Sequence, residues 1–533
     1  MKGVVVCPQP RAADVGAEIL SRGGNAFDAL VATAFAQMVN DPFMAGIAGM
    51  GTLTYFRAET ATAGTLEFPT RAGSRATPDM WAADVLGRTE ISRYSIFADF
   101  RSEIGYRSIM TPGTLAGLGT LHETACSLPW AALLAPAIEH AGRGVIVTPH
   151  ARQVWLSYTQ PGTPDGMRRL SATPESARVY LHPEGRFYEP GELLRLPDYA
   201  RTLERLARHG WRDFYTGALA EEVLADLAAN DALVTREDFS TYAPVSAPPV
   251  QGRYRGHVVC ANNPPGSGLT VIQILQILEH FDLAALGHST AAHLDLVARA
   301  MAAAHADRNR WLGDPAFVEV PVAMLLSPER AALWAGRIAR GGPLPTTPEE
   351  PGCTTHVTVW DAAGNVAALT HTLGTTAGVV TPGLGFNYNN SMKLFDPVPG
   401  TMNSIAAGKA RTTGMCPTIL FKDGAPVLAA GSPGGSVIIS AVVQAIMNVV
   451  DFGMSPVEAV TVPRIHCEGG AILAEATVQE SVVRDLRAMG HEVRHSHFSF
   501  EPAMARAHVV ACQGGRLRGG ADPRGGAGVA YAW

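Results

Sequence analysis

Threonine is a poor nucleophile unless a base removes its proton, and the run Cys353-Thr354-Thr355-His356-Val357-Thr358-Val359-Trp360-Asp361 offers a way to supply one. A cut before Thr354 would place a new α-amine on the residue that carries the hydroxyl, so the amine could act as its base. An α-amine with an ordinary pKa of about 8 keeps a useful neutral fraction near pH 7. The chemistry implied is self-cleavage, followed by attack of the freed threonine on an amide. Cys353 is an alternative nucleophile if the cut falls one residue earlier.

The elements around this run must present the hydroxyl. Val357 to Trp360 alternates as a half-buried strand, Asp361 to Asn365 is a turn-type cluster, and Val366 to Thr372 is a second strand. If Trp360 faces Val366, the pairing carries Thr354 opposite Thr372 on the same face, with Cβ atoms about 5 Å apart. Gly341-Gly342-Pro343 to Gly352 lacks periodicity and reads as an exposed linker before the cut.

Further along, Thr418 to Phe421, an Asp423-Gly424 turn and Val427 to Ala430 read as a hairpin. The segment Gly431-Ser432-Pro433-Gly434-Gly435 then leads into a helix from Val437 to Phe452. Two glycines at a helix N-terminus allow close backbone approach, and the helix dipole favours negative charge there. Earlier in the chain, helices are expected over Ala12 to Arg22 and Asn25 to Val39, with a strand over Thr52 to Phe56. The stretch from Thr111 to Arg340 reads as mainly helical, including Leu269 to Phe281 and Thr290 to Trp311. The glycine loop Gly46 to Gly51 lacks the order of a dinucleotide fingerprint and reads as close backbone packing beside a cleft.

The 533 residues suffice for a large core, and 47% hydrophobic with 17% charged residues suits a globular enzyme. A net charge of −6 without a basic run gives no case for nucleic acid or a membrane surface as partner. Seven dispersed cysteines without a C-x-x-C pair suggest reduced thiols. The apolar start, ended by Pro8, is too short for a signal peptide. Together these features give a cytoplasmic expectation.

The chain resembles the γ-glutamyltransferase family of N-terminal nucleophile hydrolases. The resemblance rests on Gly23-Gly24-Asn25-Ala26, Pro112-Gly113-Thr114-Leu115-Ala116-Gly117, and Ala306-Asp307-Arg308 with Leu312-Gly313-Asp314-Pro315. Thr354-Thr355-His356, Asn389-Asn390, Gly431 to Gly435 and Ala521-Asp522-Pro523-Arg524 complete it. It implies an α/β fold, the four-layer αββα sandwich, made as one precursor and cut into a large subunit (1–353) and a small one (354–533). The two would form one globular unit, with a dimer of such heterodimers as the candidate assembly and no cofactor. By the same resemblance Thr354 is the nucleophile, Thr372 hydrogen-bonds it, and the Gly434 and Gly435 amides form an oxyanion hole. Thr413, Asn390 and Ser391 fall at the family's substrate-binding positions.

The family's glutamyl clamp is poorly preserved. Pro69 stands where the family has its carboxylate-binding arginine, with Arg71 two residues on. Asp99-Phe100-Arg101 repeats letters of the D-F-R-E motif that carries this arginine in the family, but too late in the chain. Gly374 replaces an asparagine, Ser391 a glutamine, Leu394 the aspartate that holds the substrate ammonium, and Gly414 a serine. The expected substrate is a small amide with a carboxylate and no α-ammonium, as in the oxamate amidohydrolase branch. Arg71, Lys393 or Arg411 would supply the cation. The alternatives are a true γ-glutamyltransferase or glutathione hydrolase, and an uncut, non-enzymatic member. His491, His495 and His497, with His466-Cys467, suggest a metal site only by spacing, and no metal is expected.

Overall fold

The strand Thr355–Asp361 is buried along its whole length, which requires cover on both faces. It lies in a seven-stranded antiparallel sheet, between Gly3–Cys7 and Val366–Thr372. Met50–Arg57, Thr62–Phe68 and Val245–Ala247 extend the sheet on one side, and Gly528–Ala532 closes the other. A second antiparallel sheet has six strands in the order Arg516–Ala521, His508–Gln513, Ala425–Gly431, Thr418–Lys422, His257–Ala261 and Val250–Tyr254. The computed structural model describes residues 1–89, 94–157, 161–342 and 354–533. Cys353 and most of the expected linker lie outside them.

Strand alternation sorts the side chains into layers. Val4, Val6, Trp360 and Val366 of the first sheet meet Ile419, Phe421, Ala429 and Val510 of the second. On the opposite face of the first sheet, Val5, Val357, Val359 and Leu369 pack with Leu30 and Phe35 of the helix Ala26–Asn40. Leu420, Leu428 and Val509 of the second sheet pack outward on the helices Gly268–Leu278, Ala291–Trp311 and Val437–Val450. The result is helix, sheet, sheet, helix. Among the described residues no helix is long and apolar enough to cross a membrane.

The hairpin register runs from Trp360 opposite Val366 to Thr355 opposite His371, as the alternation predicts. Its turn is closed by Asp361, whose carboxylate accepts from Asn365 N and Nδ2 and from Ala26 N, all at 2.9 Å. The stretch 111–340 is mainly helical as expected, but it holds strands that the sequence reading missed. Val245–Ala247, Val250–Tyr254 and His257–Ala261 are strands, and the last two form one side of the second sheet. They are short, and long-range pairing rather than local propensity makes them strands. The apolar start is the strand Gly3–Cys7, paired on both sides. The helices expected to reach Phe281 and Phe452 end at Leu278 and Val450.

Candidate active site

Thr354 immediately precedes the strand Thr355–Asp361, one step beyond the Thr355–His371 pair, which sets it toward Thr372. The two threonines are 4% and 3% exposed and line one cleft. Thr372 Oγ1 accepts from Gly374 N at 2.8 Å. A buried amide network holds the strand start from behind. Gln37 Nε2 donates to Thr355 Oγ1 (2.9 Å) and His356 O (3.0 Å), while Thr355 Oγ1 donates to Gln9 Oε1 (3.1 Å). Gln9 Nε2 in turn donates to Asp41 Oδ2 at 3.0 Å. Burial pushes the Asp41 carboxyl up to about 6, against the opposing pull of its Gln9 bond and of Arg506. The glycine loop packs as expected: a Cβ on Gly49 would stand 2.3 Å from Thr372 O.

The Gly434-Gly435 turn joins the strand Ala425–Gly431 to the helix Val437–Val450. The two residues have φ of +136° and +68°, which L side chains rarely adopt. Gly435 lines the same cleft as Thr354. A Cβ on Gly414 would stand 2.1 Å from Gly435 O, so the turn occupies the space a serine side chain would need there. Ser432 Oγ accepts from Arg506 N at 2.9 Å and anchors the turn's other end.

The cleft is also lined by Tyr94, Lys393, Leu394, Arg411 and Thr413. Lys393 Nζ donates to Thr375 Oγ1 at 2.8 Å and stands 5.0 Å from the centre of the Tyr94 ring. Arg411 is 4% exposed and donates from Nη1 to Thr412 O at 2.9 Å. Thr413 Oγ1 accepts from Met415 N at 3.3 Å. Among the described residues, the lining carries two cations and no carboxylate. A larger cavity of about 250 Å3 shares Tyr94, Lys393 and Leu394 with the cleft and extends past Arg88, Arg308 and Asn403.

Three expected substrate residues lie outside that lining. Asn390 supports it from behind: its Oδ1 accepts from Thr375 N (2.9 Å), and its Nδ2 donates to Thr375 Oγ1 (2.8 Å) and Glu103 O (2.9 Å). Asn390 also fills the space beside Gly374, where a Cβ would come within 2.4 Å of its Oδ1. The buried Ser391 directs Oγ toward Met50 Sδ. Arg71 is held in strand-like bridges to Thr111 and Ala410, which turn its guanidinium to Gly408 O (3.3 Å) and Asp314 (3.8 Å). Lys393 and Arg411 are thus among the cleft's lining residues and Arg71 is not. Arg101 is engaged with Asp99 and Asp84. The ring of Tyr94 and the apolar Ile438 complete the cleft, and neither stands in a motif that would have marked it.

The candidate metal histidines are dispersed. His491 contacts Asp295, His495 lies near Glu475 O and Glu480, and His466 is buried beside Glu468. Among the described residues, no group of three or more His, Cys, Asp or Glu is arranged to hold a metal ion.

Comparison with known proteins agrees with this geometry. The Gamma-glutamyltranspeptidase family model matches residues 12–532. The chain is 38% identical over 504 residues to the Acylase ACY 1 proenzyme of Pseudomonas sp. (strain V22), covering 93% of this chain and 88% of that one. It is 32% identical over 547 residues to the Glutathione hydrolase proenzyme of Escherichia coli (strain K12), covering 98% and 90%. The crystal structure of cephalosporin acylase from Bacillus halodurans superposes with a TM-score of 0.88 at 28% identity, covering 100% of this chain and 96% of that one. The four-layer sandwich, the threonine cleft and these likenesses give one conclusion: the chain belongs to the γ-glutamyltranspeptidase family of self-processing amide hydrolases and transferases.

Proposed function

We propose that the chain is cut between Cys353 and Thr354 into residues 1–353 and 354–533, and that Thr354 then cleaves amides whose acyl group bears a carboxylate but no α-ammonium. In the cut, Thr354 Oγ attacks the Cys353 carbonyl carbon. The hydroxyl proton passes to nitrogen as the C–N bond breaks, which frees the α-amine and leaves an ester on Oγ; water then hydrolyses the ester to the Cys353 carboxylate and the Thr354 hydroxyl. In catalysis that amine takes the hydroxyl proton as Oγ attacks the substrate carbonyl. The Gly434 and Gly435 amides receive the oxyanion, for which one donor is typically worth about 10²–10³ in rate. The proton passes to the departing amine, and water then releases the acyl group. Thr372 hydrogen-bonds the nucleophile, Thr413 contributes a hydroxyl beside the acyl group, and Lys393 with Arg411 holds its carboxylate.

The observation that carries the acyl preference is the pairing of two cations with Leu394 in a cleft whose described lining holds no carboxylate. An α-ammonium would meet Leu394 there, with no anion among the described lining residues to compensate its desolvation. The named relatives are acylases and a glutathione hydrolase. They favour an acylase with room for a leaving group over the narrower oxamate reading, and the adjoining cavity provides that room. The dispersed spacing of the seven cysteines, without a C-x-x-C pair, suits a reducing compartment such as the cytoplasm. Intact-mass measurement is expected to find a fragment beginning at Thr354, and Thr354→Ala to leave one 533-residue chain. Efficient cutting of that variant would refute the mechanism.

A further inference from the structure

Behind the Gly434-Gly435 turn lies a buried ionic cluster that the steps above leave unused. Ser436 is the cap residue of the helix Val437–Val450, yet its side chain makes no capping bond to the helix amides. Ser436 Oγ instead donates to Glu468 Oε1. Glu468 is wholly buried, with His305 Nδ1 3.2 Å from Oε2 and His466 Nε2 3.3 Å from Oε1. Ser440 Oγ lies 2.7 Å from His466 Nδ1, on the next turn of the same helix. The helix Ala291–Trp311 supplies His305 and the short strand Ile465–His466 supplies His466, so two elements far apart in sequence converge on one carboxylate.

A carboxylate with no exposure is costly unless its charge is matched. Burial pushes this carboxyl up, but the flanking imidazoles, His305 foremost, outweigh it and hold the group well below the ordinary range. A structural core would be served as well by an apolar side chain. Here the fixed charge ends on the hydroxyl of the residue that follows Gly435, at a helix N-terminus where negative charge is favoured. We infer that Glu468 is a positioning residue for the oxyanion turn: it fixes Ser436 and, through it, the direction of the Gly435 amide.

The inference rests on the reading of Gly434 and Gly435 as the oxyanion hole, and the test separates the two. The processed enzyme is assayed on glutaryl-p-nitroanilide, with active sites counted from the acyl-enzyme burst. Ser436→Ala and Glu468→Gln should each lower kcat per active site by about tenfold or more, a part of the roughly 10²–10³ that a whole donor supplies, with KM changed less than about twofold. Ser436→Thr, which keeps the hydroxyl, should retain most of kcat. A purely structural role would lower thermal stability or the yield of processed enzyme and leave kcat per active site unchanged, which would overturn the inference. Should Glu468→Gln fail to fold, Ser436→Ala decides alone, since it removes a single oxygen. A processed wild-type enzyme that turns over neither this anilide nor any other amide would overturn the proposed function and this inference with it.

Discussion

Leu394 and Lys393 are adjacent in sequence and line the same cleft, so the apolar and cationic parts of the acyl site come from one short segment. Leu394→Asp would return an anion to the position that meets a substrate ammonium. A charge-assisted hydrogen bond contributes about 1.5–3 kcal/mol, so this change should move the preference toward γ-glutamyl over glutaryl anilide by about 10- to 100-fold. Competition kinetics on the two anilides checks it, and an unmoved ratio would remove Leu394 from the account. At this scale the sequence was informative where one hairpin register relates two residues, as it does Thr354 and Thr372, which line one cleft with Lys393 and Arg411. Arg71 was misplaced because its direction is set by bridges to Thr111 and Ala410, which its neighbours do not encode. Tyr94 and Glu468 carry no local signature, since their roles depend on elements that meet only in the folded chain.

Among the elements, the hairpin was legible because a two-residue periodicity and one turn fix every pair in it. The strands between 245 and 261 were not, since each is short and is specified by its partners in the two sheets. The hairpin's support makes a separate prediction. Asp41 caps the C-terminal end of the helix Ala26–Asn40, where a negative charge is disfavoured, and it is buried beside Gln9. Its pKa is raised from 3.8 to about 6 on folding. The folded state therefore binds the proton more tightly, and this contribution to stability is complete below about pH 4 and lost as pH rises through 6. Asp41→Asn cannot ionise and should escape that loss. Its stability relative to wild type should improve by on the order of 3 kcal/mol between pH 4 and pH 7 in denaturant titrations. A difference that stays constant with pH would show that Asp41 does not titrate in this range.

In the whole molecule, the proposed cut falls between chains that remain interleaved. The strand Thr355–Asp361 pairs with Gly3–Cys7, and Val366–Thr372 pairs with Met50–Arg57, so both edges of the small subunit's hairpin are held by the large subunit. The cut protein should run as two bands under denaturing conditions and travel natively as a unit of at least 56.3 kDa. Native mass spectrometry that found the fragments separate would contradict that interleaving. The four-layer architecture was expected from the family resemblance, and the layer sorting of Val4, Val5 and Val6 bears it out. The family alone leaves the acyl group open, because Pro69, Leu394 and Gly414 depart from its clamp. Glutaryl-p-nitroanilide and γ-glutamyl-p-nitroanilide differ only by the α-ammonium, so their kcat/KM ratio on the processed enzyme tests the central claim most directly. The cleft's two cations, with no carboxylate in its described lining, predict a preference for the glutaryl compound of at least about tenfold. A preference for the γ-glutamyl compound would contradict the account.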